Sequence, residues 1–194
     1  MYFVKRNNKY IDMTGLTFTD FLKGKKNKKN NSFEPTIADW IDHLSTLFPQ
    51  VRLKQYLEIR SMDACSWNEI CAPAAFWTGI IYDDLSLESS IDLLKDWTNE
   101  ERYFLNYNVP EKGLNTKFRN KKVIDIAKEL LDISEKGLKR RNKLSTNKKY
   151  DETHYLMGLK NNIAKGVSPA DILLEKYYGE WNESFENIYQ DLIF

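Results

Sequence analysis

Charged side chains that could bind an anion and a metal ion cluster in residues 49–60. Polar and apolar residues alternate there, and successive side chains of a β-strand point to opposite faces, so the pattern predicts one strand. The stretch from Val51 to Arg60 would extend about 33 Å, at roughly 3.3 Å per residue. The polar face consists of Arg52, Lys54, Tyr56, Glu58 and Arg60, and the apolar face consists of Val51, Leu53, Leu57 and Ile59, interrupted by Gln55.

The spacing of Glu58 and Arg60 suits the chemistry of a metal-bound anionic substrate. A guanidinium offers two parallel donors to a phosphate or a carboxylate, and a carboxylate on the same face can hold Mg²⁺ beside that anion. The alternative is a strand that faces water, whose charges prevent the edge of a sheet from pairing with other chains. The residue types alone leave both interpretations open.

The flanking residues predict an α+β fold, with a few antiparallel strands near the front and helices that cover one side and form the C-terminal half. A hairpin is expected over residues 2–12, turning at Asn7-Asn8, because Asn tolerates tight turns. The strand at 49–60 is expected to pack its apolar face on helices at 36–48 and 67–82. Further predicted helices lie at 14–23, 85–97, 99–107, 120–141, 151–165 and 169–178, with a short one after Trp181.

Helical spacing also predicts which side chains are buried. Thr36 caps the helix at 36–48. His43 lies at the edge of the apolar stripe of this helix and is expected to be half-buried and hydrogen-bonded to a neighbour. Cys71, in the helix predicted at 67–82, is expected to be a small buried side chain rather than a nucleophile. The stripe of that helix consists of Ile37, Trp40, Ile41, Leu44 and Leu47, and the stripe of the helix at 85–97 consists of Leu87, Ile91, Leu94 and Trp97.

The composition argues against several classes of protein. A hydrophobic fraction of 42% and a net charge of +1 indicate a soluble globular chain, and no run approaches the roughly 20 apolar residues of a membrane span. Two cysteines without a Cys/His cluster predict neither a disulfide framework nor a zinc site, and a reducing cytoplasm is the expected location. Nucleic acid is not an expected partner, because the basic clusters at 23–29 and 139–149 lie in loops poor in aromatic residues.

Several runs of residues resemble the glutamate–cysteine ligase family of plants and proteobacteria. The resemblance is densest over residues 34–83 and extends to the C-terminal end of the chain. It is carried by Glu34-Pro-Thr-Ile-Ala-Asp-Trp40, His43-Leu-Ser-Thr-Leu-Phe-Pro49, the alternating residues 51–60, Ile70-Cys-Ala-Pro-Ala-Ala-Phe-Trp77, Tyr82-Asp83, Ser168-Pro-Ala170 and Gly179-Glu-Trp181.

The resemblance implies a glutamine-synthetase-like fold, in which a curved antiparallel sheet forms the floor of the active site. It also implies ATP-dependent ligation of L-glutamate to L-cysteine through γ-glutamyl phosphate, the first step of glutathione biosynthesis. ATP and Mg²⁺ would be the cofactors. Glu58 falls on the family's Mg²⁺ ligand and Arg60 on its catalytic phosphate contact, while Arg52 and Tyr56 are candidate substrate-binding residues. Asp63 falls on a further aspartate of the family.

Members of that family are more than twice as long as this chain, so residues 1–194 are expected to form a single domain from the C-terminal portion of a longer ligase. Residues 1–63 would contain the strands and a helix, and residues 64–194 would be helical. A missing N-terminal half would supply further metal ligands. Two alternatives stay open at this point: a catalytically silent fragment or interaction module, and a related carboxylate–amine ligase with another amine acceptor.

Overall fold

The protein is described by a computed structural model that covers residues 1–25, 33–63, 66–144 and 149–192. Helices and small antiparallel sheets make it an α+β protein, as predicted. The chain divides into two compact units, Met1–Met62 and Asp63–Phe194, and each is described by itself. The assignment of residues 1–194 to a single domain of a longer ligase stays a prediction. Cys65 and most of the basic cluster at 23–29 lie outside the described residues.

The first unit begins with the predicted hairpin, in which β1 (Phe3–Arg6) pairs with β2 (Lys9–Asp12). Asn7 and Asn8 both have positive φ angles, of 49° and 59°, which a tight hairpin turn requires and asparagine tolerates. The short helix α1 (Phe18–Leu22) follows and is capped by Thr17. The core of this unit is formed by Val4, Met13, Phe18 and Phe21.

Helix α2 (Ile37–Ser45) is joined to β1 by an ion pair. Thr36 caps the helix as predicted, in a capping box with Asp39. The Asp39 side chain is only 2% exposed, and it accepts hydrogen bonds from Arg6 Nη1 at 2.6 Å and Arg6 Nη2 at 2.8 Å. The Arg6 hydrogen bonds lower the pKa of Asp39, with a smaller contribution from Thr36, so the carboxylate stays ionised.

The predicted buried stripe of α2 is wrong, because the helix packs through a different side. Ile37 is 76% exposed and Ile41 is 60% exposed. The inner contacts come from Asp39, from Trp40 and from His43. The Trp40 ring centroid lies 4.8 Å from that of Phe18, and the His43 ring stacks on Phe18 with centroids 5.1 Å apart. His43 is half-buried as predicted, but its Nδ1 has no hydrogen-bond partner in the described part of the chain, contrary to expectation. Burial lowers the pKa of its imidazole.

The single strand expected over residues 49–60 is instead a hairpin. Strand β3 (Val51–Leu53) pairs antiparallel with β4 (Leu57–Ile59), and the chain reverses at residues 54–56. Gln55, which interrupts the apolar series, lies in that reversal. The expected packing of the apolar face on helices is also wrong, since Val51, Leu53 and Leu57 are 52%, 78% and 64% exposed.

The second unit is mainly helical, and its helices follow the predicted order. The predicted helix at 67–82 is broken near Pro73, because a 3₁₀ turn (Trp67–Glu69) ends before this proline, which lies in the first turn of α3 (Ala72–Ile81). Pro110 lies inside α5 (Asn99–Lys112), beyond the end of the helix predicted at 99–107. Cys71 is exposed rather than buried as predicted. The elements are α3 (Ala72–Ile81), α4 (Asp84–Leu94), α5 (Asn99–Lys112), β5 (Lys117–Phe118), β6 (Lys121–Lys122), α6 (Val123–Arg141), α7 (Met157–Lys165), α8 (Pro169–Tyr178) and α9 (Phe185–Asp191).

Small residues let α3 and α6 approach closely. A Cβ added at Gly79 would lie 2.2 Å from the backbone oxygen of Ser134, and one added at Gly137 would lie 1.8 Å from the backbone oxygen of Gly79. Leu131, Leu138 and Leu156 are buried beside this crossing. Since real Cβ contacts are never so short, both positions require glycine for the two helices to pack in this way.

Helix α4 packs through serines, and its predicted apolar stripe is only partly covered, since Leu94 and Trp97 are half-buried. Ser86 is 1% exposed, and its Oγ donates to the backbone oxygen of Ile133 at 2.9 Å. Leu87 and Ile91, which were expected to point inward, are 36% and 55% exposed. A close approach of α4 to α6, made through a short serine side chain, explains why the larger side chains lie outside.

The basic residues at the end of α6 form ion pairs. Arg140 Nη2 lies 2.6 Å from Asp83 Oδ1, and Arg141 Nε lies 2.9 Å from Glu152 Oε2. Lys139 pairs with a glutamate one turn earlier. This part of the basic cluster at 139–149 therefore joins α6 to neighbouring segments through ion pairs.

Within the described residues, none of the helices combines the length and the apolar character needed to cross a membrane.

The Arg6–Asp39 pair predicts a local effect on stability. We expect Asp39→Asn to reduce the stability of the first unit by about 3 kcal/mol, because it leaves a guanidinium without its buried partner. Since the pKa of Asp39 is lowered in the folded state, the stabilisation is present above the ordinary pKa of about 3.9 and is lost as the pH falls through the lowered value. Hydrogen exchange of the α2 amides measures both effects. Asp42→Asn, on the same helix, is the control, and equal loss of protection in both variants would contradict this role.

The α3–α6 crossing gives a second prediction. We expect Gly137→Ala to destabilise the second unit by about 2–3 kcal/mol, because the clash with backbone outweighs the gain of about 1 kcal/mol in helix propensity. Gly158→Ala is a matched control. Its added Cβ would meet the flexible side chain of Glu69 at 2.7 Å, which can move away, so we expect a smaller loss. Urea unfolding measures both, and a neutral Gly137→Ala would show that the helices can separate at little cost.

Candidate functional site

The hairpin brings Arg52 and Glu58 together. They are directly opposite each other in the register of β3 and β4, so they share one face. Arg52 Nη2 lies 2.7 Å from Glu58 Oε2, and Arg52 Nε donates to the same oxygen at 2.8 Å. On a single extended strand, the six intervening steps would separate the two residues by about 20 Å. The reversal of the chain therefore creates the pair.

Two further cations surround the Glu58 carboxylate. Arg60 Nη1 donates to Glu58 Oε1 at 3.2 Å, and Lys54 Nζ lies 4.0 Å from Oε2. The Arg60 guanidinium also lies over the ring of Phe48, with 5.2 Å from its central carbon to the ring centroid. The cluster thus combines three cations with one carboxylate, and its excess of positive charge suits an anion.

The backbone fixes this cluster at the end of α2. The Arg60 amide donates to the Gln50 carbonyl at 2.8 Å, which continues the hairpin pairing past the ends of the strands. Arg52 Nη1 donates to the carbonyl of Ser45, the last residue of α2, at 3.4 Å. Arg52 therefore contacts both its own hairpin and the preceding helix.

Glu58 is an ionised carboxylate with some capacity for another ligand. The Arg52 hydrogen bond lowers its pKa most, and the charges of Lys54 and Arg60 lower it further. A carboxylate has about four lone-pair positions. Among the described residues, Arg52 occupies Oε2 and Arg60 contacts Oε1 through one nitrogen. Oε1 is therefore the oxygen of Glu58 that is better able to coordinate a metal ion.

A complete metal site is not formed by the described residues, because no group of three or more His, Cys, Asp or Glu side chains converges among them. Mg²⁺ is commonly bound by one or two carboxylates together with substrate phosphates and water. Glu58 fits the role of one such carboxylate. The remaining ligands would have to come from the substrate or from other polypeptide.

Two of the residues selected from the sequence do not join the cluster. Tyr56 lies in the reversal between β3 and β4 and is 60% exposed, with its ring centroid 6.0 Å from Lys54 Nζ. Asp63 is exposed and begins the second unit. The structure brings together Arg52, Glu58 and Arg60, which the sequence pattern had named, and their roles stay predictions. The pattern missed the contact of Arg52 with Glu58 and the ring of Phe48 beneath Arg60. The polar Gln55 at an apolar position was the only signal of the reversal.

The chain belongs to glutamate-cysteine ligase family 2 (GCS2), whose family model matches residues 1–191. This confirms the resemblance found in the sequence. Over all 194 residues the chain is 45% identical to glutamate–cysteine ligase A, chloroplastic, of Oryza sativa subsp. indica. It is 43% identical over the same length to the chloroplastic glutamate–cysteine ligases of Solanum lycopersicum and Arabidopsis thaliana.

The match covers all of this chain but a minor part of each relative. The chain spans 38% of the rice protein and 36% of the tomato and Arabidopsis proteins. The expected cytoplasmic location is wrong on this comparison, because these relatives are named as chloroplastic proteins and so point to a plastid.

The charge cluster yields a prediction about titration. We expect Arg52→Gln to raise the pKa of Glu58 toward its ordinary value of about 4.3, because the largest cause of its lowering is removed. Lys54→Gln is the control and should change the pKa less, since Nζ lies 4.0 Å away on an exposed side chain. The carboxyl carbon shift of Glu58, followed by NMR between pH 2 and 7, measures the pKa of Glu58 in both variants. Equal shifts in the two variants would show that the Arg52 hydrogen bond does not control this carboxylate.

Proposed function

We propose that this chain forms part of an ATP-dependent glutamate–cysteine ligase. The observation that carries the proposal is the 45% identity, over the whole chain, to a protein named as such a ligase. The cluster of Arg52, Glu58 and Arg60 supports it, because a carboxylate among guanidinium groups suits a metal-bound polyphosphate.

The proposed reaction joins L-glutamate to L-cysteine in two displacements. An oxygen of the glutamate γ-carboxylate attacks the γ-phosphorus of ATP, the bond to ADP breaks, and γ-glutamyl phosphate forms. The amine nitrogen of cysteine then attacks the acyl carbon, inorganic phosphate leaves with the bonding electrons, and the amine loses a proton. The product, γ-glutamylcysteine, is the first intermediate of glutathione biosynthesis.

We assign distinct roles to the three residues of the cluster. Arg60 is the proposed catalytic and phosphate-binding residue, because only one of its nitrogens is bonded to Glu58, at 3.2 Å, and the guanidinium can turn toward an anion. Glu58 would provide a ligand to Mg²⁺, which neutralises charge on the triphosphate when bound. Arg52 keeps Glu58 ionised and oriented. Substrate contacts by Arg52 and by Tyr56 remain part of the proposal.

We also propose that β3 and β4 extend into a larger, glutamine-synthetase-like antiparallel sheet. Within the described residues these two strands pair only with each other. A two-stranded hairpin is marginally stable by itself, and further strands would stabilise it. Such strands would also supply metal ligands beside Glu58, since the described residues do not bring three such side chains together.

A silent interaction module is the second candidate, favoured by the 36–38% coverage of the relatives. Calorimetry on this chain alone with Mg·ATP and glutamate separates the two cases. Binding of either ligand supports a partial active site. Absence of binding of both ligands supports an interaction module that depends on other polypeptide for function. A ligase with another amine acceptor would retain the phosphate chemistry and form no γ-glutamylcysteine.

Catalysis can be tested in a chimera in which this chain replaces the matching region of the rice ligase. We expect Glu58→Gln and Arg60→Ala each to lower turnover by about 10²–10³-fold, because both groups act on charge that develops during phosphoryl transfer. Formation of γ-glutamylcysteine measures turnover. Lys9→Gln is the control, since it removes an exposed cation from the other hairpin of the first unit. Near-normal turnover in either test variant would refute the site assignment.

A further inference from the structure

An exposed aromatic ring lies against the proposed phosphate-binding residue. Phe48 is 71% exposed, and the central carbon of the Arg60 guanidinium lies 5.2 Å from its ring centroid. We propose that Phe48 is a positioning residue, which holds the Arg60 guanidinium partly away from Glu58 and so keeps it available to a phosphate. This inference rests on the proposed function, because it concerns how the same site would bind the phosphates of ATP.

The backbone brings Phe48 to the start of the hairpin, beside Arg60. Pro49 disfavours a helical backbone conformation at the residue before it, which is Phe48, and so limits the freedom of that residue. The Arg60 amide donates to the carbonyl of Gln50, only two positions after Phe48, at 2.8 Å. The ring and the guanidinium are therefore anchored on neighbouring segments of backbone.

The hydrogen bond between Arg60 and Glu58 is long for two oppositely charged groups. Arg60 Nη1 lies 3.2 Å from Glu58 Oε1, whereas Arg52 Nη2 lies 2.7 Å from Oε2 of the same carboxylate. Guanidinium–carboxylate bonds are commonly about 2.7–2.9 Å long and often form as two parallel bonds. The face of an aromatic ring attracts a cation, so the Phe48 ring competes with Glu58 for the Arg60 guanidinium.

This competition has a consequence for ligand binding. Without the ring, Arg60 would be free to close on Glu58 through two parallel bonds. That arrangement would occupy Oε1, the oxygen better able to coordinate a metal ion, and would engage donors of Arg60 that a phosphate needs. An aromatic ring attracts the cation without accepting its strong hydrogen bonds, so it leaves those donors available.

NMR of this chain without ligand tests the contact itself. We expect the Cδ protons of Arg60 to be displaced upfield by the Phe48 ring current, and this displacement to be lost in Phe48→Leu and retained in Phe48→Tyr and Phe48→Trp. Tyr10→Leu is the matched control, since Tyr10 is 69% exposed and its ring centroid lies 5.8 Å from Lys5 Nζ in the other hairpin. Circular dichroism verifies that each variant folds.

Calorimetry with Mg·ATP, in the chimera with the rice ligase, tests the consequence for binding. We expect Phe48→Leu to weaken Mg·ATP binding about two- to fivefold, the factor that a cation–π contact of an exposed pair provides. Phe48→Tyr and Phe48→Trp should restore it, since both retain an aromatic face, and Tyr10→Leu should bind normally. A purely structural role of Phe48 would lower the fraction of chimera that binds rather than its affinity.

Each outcome has a defined consequence. Absence of the ring-current displacement in the unaltered chain, or equal Mg·ATP affinity of Phe48→Leu and the unaltered chimera, overturns the inference. A loss of affinity that Phe48→Tyr and Phe48→Trp do not restore, or that Tyr10→Leu shares, also overturns it. A chimera whose Mg·ATP binding depends on Phe48 but which forms no γ-glutamylcysteine upholds the inference while refuting the proposed function. A chimera that binds no Mg·ATP refutes both.

Discussion

The buried carboxylate of Asp39 determines how the first unit is assembled. Removing a carboxylate from water is costly unless donors replace its hydration. Asp39 accepts from two nitrogens of Arg6 and from the amide and hydroxyl of Thr36. The same carboxylate thus caps the N-terminal end of α2 and holds that helix to a strand more than thirty positions away in the chain. The orientation of α2 follows from this contact, and Arg52, bonded to the last carbonyl of α2, links the hairpin to it.

Local signals in the sequence predicted the boundaries of most elements because the responsible contacts are local. Thr36, Thr98 and Ser168 each accept a hydrogen bond from the third residue of the helix that follows, and Gly166 ends α7 in the left-handed conformation. Such contacts depend on residues within one turn. They are therefore visible in a single sequence, and the structure confirms the predicted cap at Thr36.

The buried sides of the helices could not be predicted in the same way. Spacing identified apolar stripes on α2 and α4, yet the buried residues are Asp39 on α2 and Ser86 and Ser90 on α4. Asp39 and Ser86 each bond a group distant in sequence. The charged residues of the site were identifiable by type, and Glu58 and Arg60 do lie together. Their contact with Arg52 depends on a chain reversal at residues 54–56, which contain neither glycine, proline nor asparagine, the residues that normally signal a turn.

The charge cluster and the exposed apolar surfaces have a common explanation. Three cations around one carboxylate repel one another unless an anion is bound, and water screens them only in part. A bound polyphosphate would relieve that repulsion. For the cations to stabilise the charge that develops during phosphoryl transfer, the polyphosphate would have to be bound in a cavity that excludes water. This hairpin, with its apolar face exposed, cannot by itself enclose such a cavity. In the proposed extension of β3 and β4 into a larger sheet, the surrounding polypeptide would cover this apolar face and also build walls around the charged face, so burial and catalysis would be completed by the same association.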